Sequence, residues 1–573
     1  MGADPRRRAL LTAGMSLSLA PWLTGCDPAP PALTGGFAGA DLARGHALRD
    51  LMASGALPAP ARIHRVRALV AGGGVAGLAA LRALRLAGVH DAMLLELEDT
   101  PGGNSRGTQL QGMACPQGAH YLPVPGDAAA EVQDLLESLG LRQRVAGRWQ
   151  YDERHLCHSP QERLHMQGHW HEGLLPMAEV GEPTLAQYRH FAARVTALAQ
   201  VAPFHMPMLT AAPARVSGGS ALPAALRTLD GQTFAQWLDA EGLHDAHLRW
   251  YLDYCCRDDY GAGLARVSAW AGLHYFASRH GFHAPGDADP AGGEREGVLT
   301  WPEGNGWLSA RMAAPLSTAG QVRSGCSVLR ITEGRHRVQV DALDHASGRV
   351  ERWEAERCVV ALPLAVAQRV LASAPSFVAA AASRLHTAPW VVVNLALSGP
   401  LADRPGAAPA WDNVLYADAT PGGLGYVDAG HQRLDPRPAP TVLSYYIALG
   451  DVPGARAQLA QAPWQHWVDV AVQALAEPHP DLRNRLTGAL VCRYGHAMAV
   501  PVPGLLGHLQ GLGASPPPGW ARVRLGGERP RWLPTPHTAR LAFAHSDWSG
   551  YSVFEEAFTR GHVAGAWASR AEA

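Results

Sequence analysis

A chain of 573 residues is long enough to bury a large core and to carry two or more domains. Its formal charge is −1 and it has no basic run beyond Arg6-Arg-Arg8, which argues against nucleic acid as a partner. Lysine is absent, so all 49 basic residues are arginine.

The first 26 residues read as an address rather than as fold. Arg7-Arg8-Ala-Leu-Leu11 has the form of a twin-arginine export signal. The apolar stretch Ala9–Leu23 is too short, and too broken by Gly and Pro, to span a bilayer stably. It ends in Leu23-Thr-Gly-Cys26, similar to the lipobox of bacterial lipoproteins, and Asp27 resembles the signal that retains a lipoprotein at the inner membrane. The expectation is export in the folded state and a lipid anchor at Cys26, on the periplasmic face of the inner membrane. One acyl chain binds a membrane only marginally, whereas several on one Cys anchor it stably. Residues 27–61 are rich in Pro, Ala and Gly and read as a tether, with one short helix near Leu42–Met52. The other seven cysteines show no C-x-x-C spacing and imply neither a disulfide framework nor a zinc site; Cys255-Cys256 read as two buried free thiols.

The core begins near Ile63 with a predicted strand, Val66–Ala71, running into Gly72-Gly-Gly-Val-Ala-Gly77. An apolar helix pattern, Leu78–Ala87, and a second buried strand, Ala92–Glu96, follow. Gly72, Gly74 and Gly77 stand at G-x-G-x-x-G spacing in a βαβ unit. Gly72 permits a tight turn, Gly74 a close backbone approach to a pyrophosphate, and Gly77 close packing of helix on strand. The helix N-terminus supplies amide donors and a positive dipole end to the phosphates. Glu96, 19 residues after Gly77, can accept ribose hydroxyls and would repel a 2′-phosphate.

Glu96-Leu-Glu-Asp-Thr-Pro-Gly-Gly103-Asn-Ser-Arg106 resembles the second dinucleotide motif of the flavin-containing amine oxidases, a superfamily that also holds phytoene desaturases and protoporphyrinogen oxidases. On that resemblance Gly102, Gly103 and Arg106 run along the pyrophosphate of FAD, and Gly118-Ala-His-Tyr121 is the strand that follows. Leu541–Gly561 is similar to the C-terminal FAD motif, with Asp547 where the family usually has Glu, and Glu555 on the family's Glu. Arg357-Cys-Val-Val-Ala-Leu-Pro363 looks like the strand that ends in a Pro beside the flavin. Gln321-Val322 to Ile331 looks like the strand pair whose backbone meets the adenine. The implied fold is α/β: a Rossmann-type FAD-binding domain assembled from residues 62–130, 300–375 and 486–573, plus a mixed α+β substrate domain from 131–299 and 376–485.

Between these motifs the patterns are plainer. Asp127–Leu139 and much of Gln187–Phe276 read as helices, and Trp301–Gly306 as a Gly-rich entry loop. Val391–Leu397 and Thr441–Leu449 read as strands of a substrate-side sheet. His165-Met-Gln-Gly-His169-Trp-His171 lacks ordered acidic partners and reads as a polar loop rather than a metal site. In Tyr251–Gly261, Asp253 and Arg257 stand four apart on a helix face. Two readings stay open there: a channel wall with Asp258 or Asp259 attracting a cation, or a satisfied ion-pair network at a helix end.

The resemblance implies hydride transfer from substrate to flavin, with the protein positioning the C–H bond. One dinucleotide fingerprint, not two, argues against an NAD(P)H-linked reductase. Electrons then pass to O₂ or to a membrane quinone or cytochrome. Amine oxidases of this family usually place a Lys near the flavin, and the strand that would bear it here is Ala388–Asn394, with Trp390 and no lysine. Tyr551 matches an aromatic of the monoamine oxidase substrate cage, but its partner position falls near Val500. His496 lies close to where monoamine oxidases attach FAD through a Cys; a covalent histidyl flavin and a hydrogen-bonding His are both open. The expected activity is oxidation of an amine or of an apolar C–H/C–C substrate, with Tyr551, Trp390 and His496 as site residues. The alternative is a flavin-loaded binding or assembly partner without turnover.

Overall fold

The computed structural model describes residues 33–53, 57–201, 204–208, 224–279, 281–286, 297–416, 418–435, 437–514, 520–525 and 531–570. The chain divides into a leading unit, Met1–Thr34, and a main unit, Gly35–Ala573. The export signal and Cys26 lie outside the described residues. A helix forms at Leu42–Ala53, where one is expected. Asp41 N–H donates to Glu98 Oε1 at 2.9 Å, and Arg44 donates to the Leu97 carbonyl at 3.0 Å. These bonds seat residues that composition assigns to a free tether, because Pro and Gly richness reports weak local preference and says nothing of tertiary partners. Among the described residues no helix is long and apolar enough to cross a membrane.

The first sheet has a parallel heart. Strand β1 (Arg62–Ala71) pairs in parallel with β2 (Ala92–Leu95) on one side and β3 (Arg349–Val360) on the other. Leu69, Val70 and Ala71 are fully buried, as a central parallel strand covered on both faces requires. The ladder starts earlier than the apolar run, because Arg62–Arg65 pair with Glu351–Glu354 of β3. Beyond β2 lies the short Val322–Arg323 strand; beyond β3 the antiparallel strands Val338–Asp344 and Cys326–Glu333 complete the edge. Leu541–Phe543 adds in parallel to β3. Helix α1 (Val75–Leu86) is buried on nearly every side and packs with the C-terminal helix Phe554–Ala568 in one apolar cluster. Burial of each Leu there is worth about 2 kcal/mol.

The second sheet is mixed and centred on β4 (His386–Leu397), whose residues Val391–Leu397 are fully buried. It pairs antiparallel with β5 (Thr441–Ala448) and with β6 (Leu486–Val500), a bulge between Ala388 and Trp390 shifting the register. Outward from β5 come Gly423–Asp428, Asp412–Leu415, Glu162–Met166 and His169–Glu172. The last two correct the expected polar loop. They form a hairpin, Trp170 pairing with His165, because Leu164 and Met166 bury in the apolar core and Trp170 buries against Arg163 and His165, while His169 faces solvent.

Helices cover this sheet. Helix α2 (Ala246–Tyr260) starts where the Asp245 carboxylate caps the N–H groups of His247 and Leu248, and stops at Gly261 in the left-handed region. Helix α3 (Ala269–Ala277) is capped by Ser268. Their apolar faces join a large aromatic cluster that includes Phe191, Phe234, Trp237 and Tyr260.

Candidate active site

The glycine motifs form a cradle almost free of side chains. Gly72 has φ +100, a conformation closed to most residues. A Cβ on Gly77 would lie 1.8 Å from the Gly72 carbonyl oxygen, so helix and turn can meet this closely only with glycine. Gly74 pairs as a bridge with Gly102, and Gly102 N–H donates to the Gly73 carbonyl at 2.8 Å, which lays the two glycine segments side by side. The buried Glu96 carboxylate accepts from Gly73 N–H at 2.6 Å and Glu98 N–H at 2.9 Å. Burial raises its pKa, and these two donors pull it back. Arg106, also buried, donates to the Gly103 carbonyl at 3.0 Å and stands 3.5 Å from Glu98.

The distant segments reach the same end of the sheet. Val322 pairs with Leu94, and the Arg323 carbonyl accepts from Glu96 N–H at 2.9 Å. Pro363 precedes Leu364, whose N–H donates to Asp547 at 2.9 Å. Burial alone would raise the Asp547 pKa, but His545 beside it and the Leu364 N–H hold it below the usual carboxylate range. The residues fit an FAD: a bare glycine rim, an acid at the end of the second strand, and two buried oxygens with no partner among the described residues, the Ser309 hydroxyl beside Gly102 and the Asn305 side-chain oxygen. The structure thus gathers Gly72, Gly74, Gly77, Glu96, Gly102, Gly103 and Arg106 at one site, with Val322 alongside, while Pro363 and Asp547 meet each other on the neighbouring strand ends.

Two cavities lie beyond the cradle. The inner one, about 140 Å³, joins cradle-side residues Asn104, Gly118 and Ser552–Glu555 to Asp258, Asp259, Arg279, Trp390 and Tyr446. The outer one is about 300 Å³ and is lined by Glu162, Asp258, Asp412, Trp411 and several tyrosines. They share His120, Tyr121, Asp258, Arg279 and Tyr446. The rings of His120 and Tyr446 sit 4.4 Å apart, and Trp411 stands 5.5 Å from His120, so the passage is aromatic as well as acidic.

The charges here are out of water. Tyr121 O–H donates to Asp258 at 3.1 Å, and burial together with nearby Asp259 raises the Asp258 pKa to about 6. Asp259 pairs with Arg279 at 3.1 Å. Burial, then Asp258 and Glu162, raises Asp412 well above the usual range. Burial raises Glu555 to about 7 against the pull of Arg279. His120 is held neutral, its pKa lowered by burial to about 3. Buried like charges this close share protons unless a cation joins them.

The site differs from the sequence reading at two of the three expected site residues. Trp390 lines the inner cavity as expected. Tyr551 does not: it is buried among Tyr260, Trp270 and His274, at ring separations of 5.2, 6.2 and 5.2 Å, and lines neither cavity. His496 also stays outside; it is exposed and bonded to Thr387 at 2.9 Å. The residues of Tyr251–Gly261 divide between an ion-pair network and a cavity wall. Asp253 and Arg257 bond each other at 2.8 Å and tie α2 to Leu264 and Gly423, whereas Asp258 and Asp259 face the cavities. Glu162, Arg279 and Asp412 escaped the sequence reading. Asp412 carried a faint signal, as an acid opening an apolar strand; Arg279 carried none.

A family profile described as flavin containing amine oxidoreductase matches residues 75–461. Among solved structures, a putrescine oxidase with putrescine bound is similar at 17% identity and TM-score 0.60, over 88% of this chain and 99% of that one. Cyclohexylamine oxidase from Brevibacterium oxydans IH-35A is similar at 16% identity and TM-score 0.60, over 88% and 98%. A fatty acid isomerase from P. acnes is similar at 15% and 0.56, over 87% and 97%. Among curated proteins no sequence matches the chain significantly.

Proposed function

The chain belongs to the flavin-containing amine oxidoreductase family, and on that premise we propose that it binds FAD and oxidises a small amine. The observation that carries the substrate class is the acidic lining of the two joined cavities, where Asp258, Asp412 and Glu162 converge with aromatic walls. A buried carboxylate cluster is costly unless a cation neutralises it, and an ammonium group is such a cation. The aromatic faces of Tyr446 and Trp411 add cation–π attraction, about 1–2 kcal/mol each when desolvated. An apolar C–H/C–C substrate would meet these charges without compensating them. The chemistry FAD supplies when bound is acceptance of a hydride or electrons. Asp412 draws the ammonium into the outer cavity, Asp258, which lines both cavities, receives it in the inner one, and Trp390 and Tyr446 flank the carbon chain there.

The destination of the electrons, O₂ or a membrane quinone or cytochrome, and a lipid-anchored periplasmic location belong to the same proposal. The location rests on Arg7-Arg8 and Leu23–Cys26, and the acceptor on that location and on the single dinucleotide fingerprint at Gly72–Gly77. Anaerobic addition of putrescine or cyclohexylamine to the flavin-loaded protein is expected to abolish the flavin absorbance. Bleaching by an unsaturated fatty acid, with none by any amine, would replace the amine reading with the apolar one.

A further inference from the structure

We propose that the Glu555 carboxylate accepts the proton that an ammonium substrate must release before its carbon can be oxidised. The inference rests on the amine reading above. An alkylamine near neutral pH is almost wholly protonated, and a nitrogen without a lone pair cannot assist departure of the neighbouring hydride. A group in the cavity must therefore take one proton. The chain has no lysine anywhere to do so.

The acids facing the cavities differ in what already occupies them. Asp258 accepts the Tyr121 O–H. Asp259 is tied to the buried Arg279 guanidinium. Asp412 lines the outer cavity only and takes the Asn413 N–H and the Tyr254 O–H. Glu556, beside Glu555, is turned away into bonds with the Met208 N–H and the Ser549 hydroxyl. Glu555 alone lines the inner cavity with a carboxylate that, among the described residues, accepts nothing beyond its own backbone N–H. It also stands in the first turn of the helix that follows Ser552 and Val553, at the cradle end of that cavity.

The charged and titratable groups around it are Asp258 and Asp259 from α2, Arg279 after α3, Tyr121 from the strand beside the cradle, and Glu556 on its own helix. His120, also in the inner cavity, has a pKa of about 3 and is a poor acceptor. Burial raises Glu555 to about 7, within reach of both proton states at working pH. In the step itself one N–H bond of the ammonium breaks and an O–H bond forms on Glu555. The electron pair stays on nitrogen, and the base gains exactly the charge the substrate loses.

The test compares flavin-loaded wild type with Glu555→Gln and Glu555→Asp, following anaerobic flavin bleaching by cyclohexylamine and putrescine from pH 6 to 10. In wild type the rate is expected to rise through about pH 7 and then level. Glu555→Gln should be about 10²-fold slower at pH 7. It should rise with the neutral amine fraction until it approaches wild type near the amine's own pKa. Glu555→Asp should restore a limb at shifted pH, and flavin content checks folding of each. A merely structural role would lower the rate at every pH alike. Equal rates and equal profiles for wild type and Glu555→Gln would overturn the assignment while leaving the amine reading intact. Failure of wild type to bleach with any amine would overturn both.

Discussion

The glycine cradle and the acidic cavity are held together by opposite means. In the cradle, backbone meets backbone: Gly74 beside Gly102, Gly77 against the Gly72 carbonyl, and donors supplied mainly by peptide N–H groups. In the cavity, side chains from four remote segments, Tyr121, Asp258, Arg279 and Asp412, bring buried charges and a neutral hydroxyl together. Backbone contacts tolerate almost no added volume but need no particular charge. The cavity is expected to tolerate isosteric change but to depend on each charge it contains. One site is a constraint on shape, the other a constraint on electrostatics.

The sharpest way to break this comparison is Gly77→Ala. The new Cβ falls 1.8 Å from a backbone oxygen that cannot rotate away, so α1 must shift off β1. A loss of about 3 kcal/mol or more is expected, with flavin stoichiometry close to zero by visible absorbance. Full flavin loading and an unchanged melting temperature would remove the shape argument. Asp258→Asn is the counterpart in the cavity. It keeps the volume and an oxygen for the Tyr121 hydroxyl but removes the charge. Flavin content should stay at the wild-type level while the affinity for a small amine falls by about 10²-fold, the worth of a buried charge-assisted contact. Loss of flavin together with amine affinity would show that the two sites are not separable.

A smaller effect concerns pH and stability. Burial holds the Asp258 and Glu555 pKa values at about 6 and about 7, against about 4 for both side chains in an unfolded chain. Between those values the folded protein keeps protons that the unfolded chain has released. Their contribution to stability is therefore complete below about pH 4 and is lost as pH rises through about 6 and then about 7. Substitution by Asn or Gln removes this loss. The melting temperature of each variant, relative to wild type, should climb between pH 4 and 8, by an amount on the order of 2 kcal/mol in stability. A flat difference would mean that these carboxyls are not shielded from water in the way their burial implies.

The same contrast explains what could be read from sequence. Gly72, Gly74, Gly77 and Glu96 fall within one βαβ unit, where spacing along the chain fixes spacing in space, so the cradle was legible from residues alone. Asp547 and Val322 needed the family resemblance, since nothing local says that Leu541–Phe543 will pair with β3. The cavity was legible at Asp258 and Asp259, acids within an apolar helix, and, through the resemblance alone, at Trp390 and Glu555. Glu162, Asp412 and Arg279 look ordinary where they stand, and become a site only when Asp412–Leu415 lies parallel to Glu162–Met166 and α3 ends over α2. His165–His171 misled because its histidines were counted and Trp170 was not. Its buried ring, stacked under Arg163 at 3.9 Å, is what makes a strand of it.

Tyr551 offers the finest test, because resemblance and geometry disagree there. A pattern match places it beside the substrate; the structure packs it behind the cavity wall, edge-on to Tyr260 and His274. The backbone explains the change. Ser552 and Val553 lie between Tyr551 and the helix start at Phe554, and it is they, with Glu555, that line the inner cavity. Tyr551→Phe should then alter kcat/KM for an amine by no more than about twofold, since the ring keeps its packing. Trp390→Phe, which shrinks a wall of the inner cavity, should raise KM by about tenfold, the worth of a lost aromatic contact of about 1.4 kcal/mol. The reverse order would restore the aromatic cage that resemblance suggests and would require the segment Ser549–Val553 to rearrange when the flavin binds. Steady-state kinetics on the two variants, at equal flavin content, is enough to choose between the arrangements.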